Sequence, residues 1–241
     1  MVRWIGTPDP DKYKGTPDND ILNGIGSDDS LYGEDGNDIM LGGVGNDLLI
    51  GGEGRDQILG DNGDDRVFGN DGADRIEGGD GADYLSGSDG ADQVSGGDGR
   101  DTVAGGSGDD DLSGGRGDDT FYSAGGENTV TGDAGDDEIV TSGLDVLSGG
   151  KGDDLFRFFY DEPEEFRGAT IKDFNNRDGD SDVADVSAFF ISLDDLLASA
   201  TVVKIDGKTA TKIDVAGKDL ILLDYNIDKD KDIDAHFLFS S

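Results

Sequence analysis

The sequence contains no cysteine, one histidine, four prolines and one tryptophan among its 241 residues. Without cysteine the chain can form neither a disulfide framework nor a cysteine-based metal site. No stretch approaches the roughly 18 consecutive apolar residues of a membrane-spanning helix, and residues 1–14 lack the apolar core of about 7–15 residues of a classical signal peptide. Basic residues are also few, because 19 Lys and Arg stand against 56 Asp and Glu, a net charge of −37. This charge argues against binding to nucleic acids or anionic membranes, since both require a basic surface.

Motifs for hydrolytic catalysis are missing as well. The sequence has no H-E-x-x-H zinc motif and no G-x-S-x-G nucleophile motif, and it cannot form a Cys–His pair. We therefore predict that the protein is not an enzyme. Apolar residues make up only 33% of the chain, and low hydrophobicity with high net charge is typical of a disordered protein. A folded chain of this composition needs something that neutralises its charge.

The glycines reveal a repeat. Of 42 glycines, 37 lie between Gly15 and Arg157, where a nine-residue unit recurs 16 times and one copy, within Thr141–Ser148, is a residue short. Clear copies begin at Gly42 (GGVGNDLLI) and at Gly51 (GGEGRDQIL). Position four is Gly in 14 units, position six is Asp in 15, and position eight is apolar in all 16.

This unit predicts a turn followed by a short strand. Paired glycines permit positive φ and tight turns, so positions one to six form the turn and positions seven to nine the strand. Side chains alternate along a strand, so position eight points inward and its neighbours point outward. Stacked coils place the inward residues in continuous ladders. We therefore predict an all-β fold, a parallel β-roll (β-solenoid) in which two units form a coil and unit i stacks on unit i+2.

Stacking brings the aspartates of position six close together. Neighbouring strands lie about 4.8 Å apart, so like charges at this spacing repel by roughly 1 kcal/mol in water and more in a protein environment. A divalent cation between the turns reverses the sign of this interaction. Calcium suits the position because it takes 6–8 oxygen ligands, which carboxylates and turn carbonyls can supply. The repeats contain no His or Cys, which are the usual ligands of zinc, so a zinc site is not expected.

The unit resembles the G-G-x-G-x-D-x-U-x nonapeptide of the RTX (repeats-in-toxin, hemolysin-type) calcium-binding family. The resemblance implies about 10–12 bound Ca²⁺ ions, held by turn carbonyls and by the aspartates of stacked turns. The implied metal ligands are Asp20, Asp29, Asp38, Asp47, Asp56, Asp65, Asp74, Asp83, Asp92, Asp101, Asp110, Asp119, Asp137, Asp145 and Asp154. Asn128 takes this position in one unit, and the next unit on the same side is the shortened one, so we expect one column of sites to be interrupted there. The first two units lack the glycine of position four, so we expect weak sites at the N-terminal end.

We divide the chain into a lead-in of residues 1–14, the roll of residues 15–157 and a C-terminal cap of residues 158–241. The cap resembles the region that follows the roll in RTX metalloproteases. That resemblance implies an uncleaved type I secretion signal, and hence a partner in the type I secretion apparatus and a secreted or cell-surface location outside a Gram-negative bacterium. Low cytosolic calcium would leave the roll unfolded inside the cell, and calcium outside would fold it.

Several elements are predicted in the cap. Alternating apolar residues predict strands at Ala169–Phe174, Val183–Val186, Thr201–Ile205, Thr211–Val215 and Asp219–Leu223. A short helix is predicted for Ser192–Ala200, with Ser192 as its N-cap. The loop Asp178–Asp182 is either a polar loop or an additional calcium site. Asp228–Asp232 lacks the glycine and glutamate of an EF-hand and is interpreted as a solvated turn, and His236 is interpreted as structural.

The outward positions of the early units are apolar, as at Ile39, Leu48 and Leu59. Two interpretations stay open: residues 1–14 fold back over this exterior, or it is a partner surface.

Two functions are compatible with the sequence. The first is a secreted, non-catalytic calcium-binding protein that acts in adhesion or host contact through its folded surface. The alternative is a polysaccharide-binding or folding-assisting module of an extracellular enzyme, such as an alginate epimerase or a protease. An extended groove with Arg and Tyr on one face would favour this alternative, and the candidates are Arg66, Arg75, Tyr84 and Arg100.

Overall fold

The computed structural model describes residues 1–158, 168–174, 182–185, 200–205, 208–215, 218–223 and 237–238. All regular elements in these ranges are β-strands. Within them, no helix has the length and hydrophobicity needed to cross a membrane.

The strands are short and evenly spaced. They are β1 (Arg3–Ile5), β2 (Lys12–Lys14), β3 (Ile21–Gly26), β4 (Ser30–Asp35), β5 (Ile39–Val44), β6 (Leu48–Glu53), β7 (Gln57–Asn62), β8 (Arg66–Asp71), β9 (Arg75–Asp80), β10 (Tyr84–Asp89), β11 (Gln93–Asp98), β12 (Thr102–Ser107), β13 (Asp111–Arg116), β14 (Thr120–Ser123), β15 (Thr129–Ala134), β16 (Glu138–Thr141), β17 (Val146–Lys151), β18 (Leu155–Phe158), β19 (Ala169–Ile171), β20 (Val183–Asp185), β21 (Ala200–Ile205), β22 (Lys208–Val215), β23 (Lys218–Leu223) and β24 (Phe237–Leu238).

Successive strands alternate between two sheets. The odd sheet has 13 strands in the order β1-β3-β5-β7-β9-β11-β13-β15-β17-β19-β23-β22-β21, and the even sheet has 11 in the order β2-β4-β6-β8-β10-β12-β14-β16-β18-β20-β24. Neighbouring strands of the coils are parallel and 18 residues apart, as in the register Met40↔Ile58, or 17 apart across the shortened unit, as in Val130↔Leu147. The predicted parallel β-roll with unit i stacked on unit i+2 is thereby confirmed, and β1–β18 form nine coils.

The core is the double ladder of position-eight side chains. All 16 of them are buried, and the largest are Phe121 and Phe156. Each apolar side chain contacts its counterparts in the coils above and below, so a single apolar residue per unit produces a continuous core. Burial of each such Leu, Ile or Val stabilises the roll by about 1.5–3 kcal/mol.

The strands are longer than predicted. Most span six residues, from position seven of one unit to position three of the next, instead of three. In β5 the chain passes through Gly43, whose φ is +110°, and pairing with β7 resumes at Gly43↔Asp61 and Val44↔Asn62. A residue with positive φ at position two therefore bends the strand without ending the ladder. The turn therefore consists only of positions four to six, which end at the aspartate before the next strand.

Residues 1–14 do not fold back over the exterior of the early coils. β1 pairs with β3 and β2 pairs with β4, so both segments extend the two sheets. Trp4 lies in register with Leu22 and Tyr13 with Leu31. The two aromatic rings stack at 4.6 Å and pack on the core. The N-terminal residues therefore close the end of the roll and leave its outer faces uncovered by this segment.

The described part of the cap continues both sheets. β19 pairs with β17 and β20 with β18, while β22 runs antiparallel between β21 and β23. The five predicted cap strands are confirmed as β19–β23, with bounds that differ by up to three residues. Of the predicted helix, only Ala200 is described, and it begins β21. Residues 192–199, the loop residues 178–181, Asp228–Asp232 and His236 lie outside the described residues.

Position four requires glycine because the turns of successive coils touch there. Gly81 has φ of +144°, and a Cβ on it would lie 2.0 Å from the carbonyl oxygen of Gly63 in the preceding coil. Gly81→Ala is therefore expected to destabilise the calcium-loaded roll by at least about 2 kcal/mol, measured by thermal unfolding. Ala82→Ser, at the exposed neighbouring position, is the control and should change stability little. Equal stability of the two variants would contradict the close contact.

Candidate metal centre

The aspartate of position six is the last turn residue before each strand, and there it is buried. The 15 predicted aspartates and Asn128 are each at most 3% exposed. Between Gly15 and Arg157, the other buried polar side chains are Ser123 and Thr141, and both bond to Asp145. The polar interior of the repeats therefore consists of these carboxylates and the groups that contact them.

One oxygen of each carboxylate joins successive coils. The backbone N–H of Asp38 donates to Oδ1 of Asp56 at 2.7 Å, and the N–H of Asp56 donates to Oδ1 of Asp74 at 2.8 Å. The same bond recurs along both sides of the roll, each time 18 residues apart in the full-length units. These bonds hold each side chain in one orientation beneath the turn of the preceding coil.

The other oxygen has no hydrogen-bond donor in twelve of the aspartates. Oδ2 is buried and unpartnered in Asp29, Asp38, Asp47, Asp56, Asp65, Asp74, Asp83, Asp92, Asp101, Asp110, Asp119 and Asp137. Burying an ionised carboxylate oxygen without a partner is costly, and native proteins satisfy such groups with a donor or a cation. These twelve atoms define the candidate metal centre.

The glycine of position one leaves room beside each unpartnered oxygen. A Cβ placed on Gly42 would lie 2.3 Å from Oδ2 of Asp47 and 2.7 Å from the carbonyl oxygen of Gly60. A carboxylate oxygen and a main-chain carbonyl therefore border the same space, which only glycine leaves free. Within the described parts of the chain, no three His, Cys, Asp or Glu side chains converge on one point. Carbonyl oxygens must therefore complete any cation site, and an all-oxygen donor set suits a hard cation such as Ca²⁺.

The raised pKa values of the buried aspartates agree with a site that lacks its cation. Burial, reinforced by the next aspartates of the column, raises the pKa of Asp56 and Asp65 to about 7, although the backbone N–H bond to each opposes the shift. The pKa of Asp119 rises to about 7, and that of Asp154 to about 8, for the same reasons. In the absence of a cation, these carboxylates favour the protonated form far more than exposed aspartates do.

The run of unpartnered oxygens in the odd-sheet column ends where protein groups donate hydrogen bonds to Oδ2 or where Asn128 replaces the aspartate. In the first unit, the N–H and the hydroxyl of Thr16 donate to Oδ2 of Asp20 at 2.6 and 2.8 Å. Asn128 donates from Nδ2 to the carbonyl oxygen of Gly125 at 3.3 Å. Oδ2 of Asp145 accepts hydrogen bonds from the hydroxyls of Ser123 and Thr141. The odd-sheet column of unpartnered oxygens therefore stops at Asp110, next to the expected interruption at Asn128.

Two residues absent from the predicted set belong to the same aspartate columns. Oδ2 of Asp11 accepts bonds from the N–H and hydroxyl of Thr7, and its own N–H donates to Asp29. Asp182 is 3% exposed, and its Oδ1 accepts the N–H of Asp154 at 3.1 Å. Asp11 precedes Asp20 by nine residues, which is a readable signal. Asp182 follows Asp154 by 28 residues, so the repeat spacing does not place it in the column, and the sequence indicated it only through the open alternative of a calcium site in the loop Asp178–Asp182.

The fold and these sites define a calcium-binding parallel β-roll. The family described as RTX calcium-binding nonapeptide repeat (4 copies) matches residues 5–40, 14–49, 41–76, 68–103, 104–139 and 139–157. These matches together cover more than half of the chain, which therefore belongs to this family. The repeats bind calcium, and their number gives the protein multiple Ca²⁺ sites.

Solved structures show partial likenesses. The AlgE6R3 subunit of the Azotobacter vinelandii mannuronan C5-epimerase is 30% identical, with a TM-score of 0.32 over 51% of this chain and 70% of that one. The extracellular lipase LipA of Serratia marcescens is 16% identical, with a TM-score of 0.18 over 96% of this chain and 40% of the lipase. No curated protein sequence matches the chain.

The raised pKa values predict how the calcium-free chain responds to pH. A carboxylate whose pKa is higher in the fold than in the unfolded chain stabilises the fold when protonated, so this contribution is complete below about pH 4 and is lost as pH rises. Because the folded pKa values of Asp56 and Asp154 are about 7 and about 8, the loss should extend over pH 4–8. Circular dichroism of the metal-stripped protein should show most β-structure near pH 4 and least near pH 8. A signal that does not change with pH would contradict this expectation.

Proposed function

We propose that the 15 position-six aspartates line two calcium columns, and that the twelve with an unpartnered Oδ2 hold Ca²⁺ between turns stacked on the same side of the roll. The supporting observation is the set of twelve buried, unpartnered Oδ2 atoms. Seven of them form the even-sheet column from Asp29 to Asp137, and five form the odd-sheet column from Asp38 to Asp110. Successive members enclose six and four intervals, so ten intervals have an unpartnered oxygen on both sides. This number agrees with the 10–12 ions expected from the repeat.

Calcium binding and folding are one process in this proposal. Bound Ca²⁺ supplies positive charge that the columns of carboxylates lack. Without it, each aspartate faces like-charged neighbours above and below, with a repulsion of roughly 1 kcal/mol or more per pair, in a chain of net charge −37. The aspartates therefore oppose folding when alone and stabilise the coils when bridged.

We further propose that the protein is secreted from a Gram-negative bacterium by a type I system and folds outside the cell, where it acts through its surface in adhesion or host contact. The family assignment supports this location, since RTX repeat proteins are typically secreted. A non-catalytic role is supported by the repeat interior. From Gly15 to Arg157, each buried polar side chain belongs to the aspartate columns or bonds to them, so none there is left over for acid–base or nucleophilic chemistry.

The candidates for a polysaccharide groove do not share one face. Arg66 and Tyr84 are cross-strand neighbours on the even sheet, whereas Arg75 lies on the odd sheet. Arg100 precedes a strand and pairs with Asp118 at 2.8 Å. This separation favours the surface-contact role over the alternative of a polysaccharide-binding module. A glycan array probed with the calcium-loaded protein distinguishes the two, because a module of that kind would retain a defined polysaccharide.

Calcium titration tests the proposed linkage of folding to metal binding. At pH 7 the chelated protein should show the circular dichroism of an unfolded chain, and Ca²⁺ should produce β-structure in a cooperative transition. Mg²⁺ at the same concentration should be much less effective, because it demands octahedral geometry and keeps its water. A roll that is already folded in excess chelator at this pH would overturn the proposal.

Replacement of one aspartate tests the assignment of the ligands. Asp74→Asn keeps the Oδ1 acceptor for the N–H of Asp56 but turns Oδ2 into a donor, as in Asn128. It should lower the number of bound ions by up to two, since Asp74 borders two intervals, and raise the calcium concentration at the folding midpoint.

Asp80→Asn removes the same charge from an exposed position and is the matched control. Equilibrium dialysis with elemental analysis should show the wild-type number of ions for this variant. Equal ion loss in both variants would indicate that net charge, rather than the buried column, determines binding.

A further inference from the structure

The outer face of the even sheet carries an apolar ladder in its early coils. Tyr32, Ile50 and Phe68 occupy position nine of successive even-sheet units and stand in direct register, Tyr32 beside Ile50 and Ile50 beside Phe68. All three are half-buried. The ladder continues with Ser86 and Ala104 and then with Tyr122 and Val140, so the small residues Ser86 and Ala104 separate this N-terminal apolar stretch from a later one. Residues 1–14 extend the sheets, and Nζ of Lys12 lies over the Tyr32 ring at the end of the N-terminal stretch.

An acidic ladder runs beside the apolar one. Asp35, Glu53 and Asp71 occupy position three of the same strands, are stacked in register, and are exposed. A cavity of about 400 Å³ lies between the two ladders and is lined by Tyr32, Ile50 and these three acidic residues. Among the described residues, no Lys or Arg forms a salt bridge with the three carboxylates. We call this the acidic groove.

The chain's own lysines show which chemistry the acidic groove accepts at its N-terminal end. Nζ of Lys12 lies 5.3 Å from the centroid of the Tyr32 ring, and Nζ of Lys14 lies 2.7 Å from Oε2 of Glu34. Both lysines extend from β2 at alternate positions, while Tyr13 between them points into the core. One aromatic ring and one carboxylate thus each receive a cation from an extended segment. In the following coils Ile50 and Phe68 repeat the position of Tyr32, whereas Gly52 and Asn70 take the position of Glu34, so the carboxylates beside the apolar residues there are those of Glu53 and Asp71.

We propose that the acidic groove binds an extended, lysine- or arginine-rich segment of a partner protein. Its cations would face the ladder of Asp35, Glu53 and Asp71, and its aliphatic stems would lie on Ile50 and Phe68, because long basic side chains pair an apolar stem with a charged head. Complementary charge favours this partner, whereas an anionic polysaccharide would be repelled by the same ladder. This groove exists only on the folded roll, so the inference rests on the calcium-dependent folding proposed above.

The test uses a fluorescein-labelled decapeptide of alternating lysine and threonine, with binding to the full chain followed by fluorescence anisotropy in millimolar Ca²⁺. The double variant Glu53→Gln/Asp71→Asn removes two groove charges and should weaken binding at least fivefold, since each exposed ion pair contributes modestly. The matched control, Glu77→Gln/Asp80→Asn, removes two carboxylates from the odd sheet and should change affinity less than twofold. Ile50→Thr keeps the charges but removes apolar surface, and it should weaken binding two- to threefold.

Circular dichroism of each variant in Ca²⁺ separates folding from binding. If the chain folds with Ca²⁺ but does not bind the peptide, the groove proposal is overturned and the proposed function stands. Equal weakening by the odd-sheet control would show attraction to overall charge, and an unchanged affinity of Ile50→Thr would remove the apolar floor from the site. Either result overturns the inference. Failure of the wild-type chain to fold with Ca²⁺ instead overturns the proposed function on which the inference rests.

Discussion

The repulsion between stacked, buried carboxylates is the interaction on which the rest of this structure depends. The β-roll has no thick core, since each unit contributes a single inward apolar side chain. Its polar interior places one aspartate directly above another, with one oxygen bonded to the next coil and the other without a partner. The apolar ladder and the backbone pairing favour the coils, while the aspartate columns oppose them until a cation is shared. Under the proposed linkage, the stability of the roll is therefore conditional on the calcium concentration around the chain.

The repeat geometry follows from contacts that allow little variation. Turns approach so closely at position four that a side chain would overlap the carbonyl of the preceding coil, as at Gly81 and Gly63. Position two is less restricted, because Asp61, Asn70 and Ser88 adopt positive φ there in place of glycine. Asn and Asp adopt this conformation at modest cost. The regular spacing of the unit thus has two causes. Successive turns touch at the glycine of position four, and the glycine of position one leaves space beside the buried aspartate.

The sequence predicted the parts of the fold that depend on periodicity. The nine-residue spacing indicated which side chains point inward, which units stack and which aspartates lie close together, because side chains alternate along short strands and equivalent residues of stacked units are neighbours. It did not predict that pairing continues through the glycine pair, because a residue with positive φ at position two bends a strand as readily as it ends one. It left Asp182 open, within a loop that was either polar or an additional calcium site, since the 28 residues from Asp154 break the period and only three-dimensional stacking places Asp182 in the column. One of the two open interpretations placed residues 1–14, and with them Trp4 and Tyr13, over an outer face. Each of these aromatic residues precedes a core position by 18 residues, and this spacing places both in the core ladder.

The hydroxyl groups at the ends of the odd-sheet aspartate column bound the run of unpartnered carboxylate oxygens, and in the proposed calcium-loaded roll they would set its length. Thr16 donates hydrogen bonds to Asp20, and Ser123 and Thr141 donate hydrogen bonds to Asp145. The inner aspartates have no such donors to Oδ2. In that proposal, exchange of a few turn residues would add or remove one metal interval while the register and the apolar core stay the same. A lineage carrying this repeat could adjust the number of ions, and with it the steepness of the response to calcium, in single steps. The small side chains of the turns would in this way set the number of ions that the proposed roll holds.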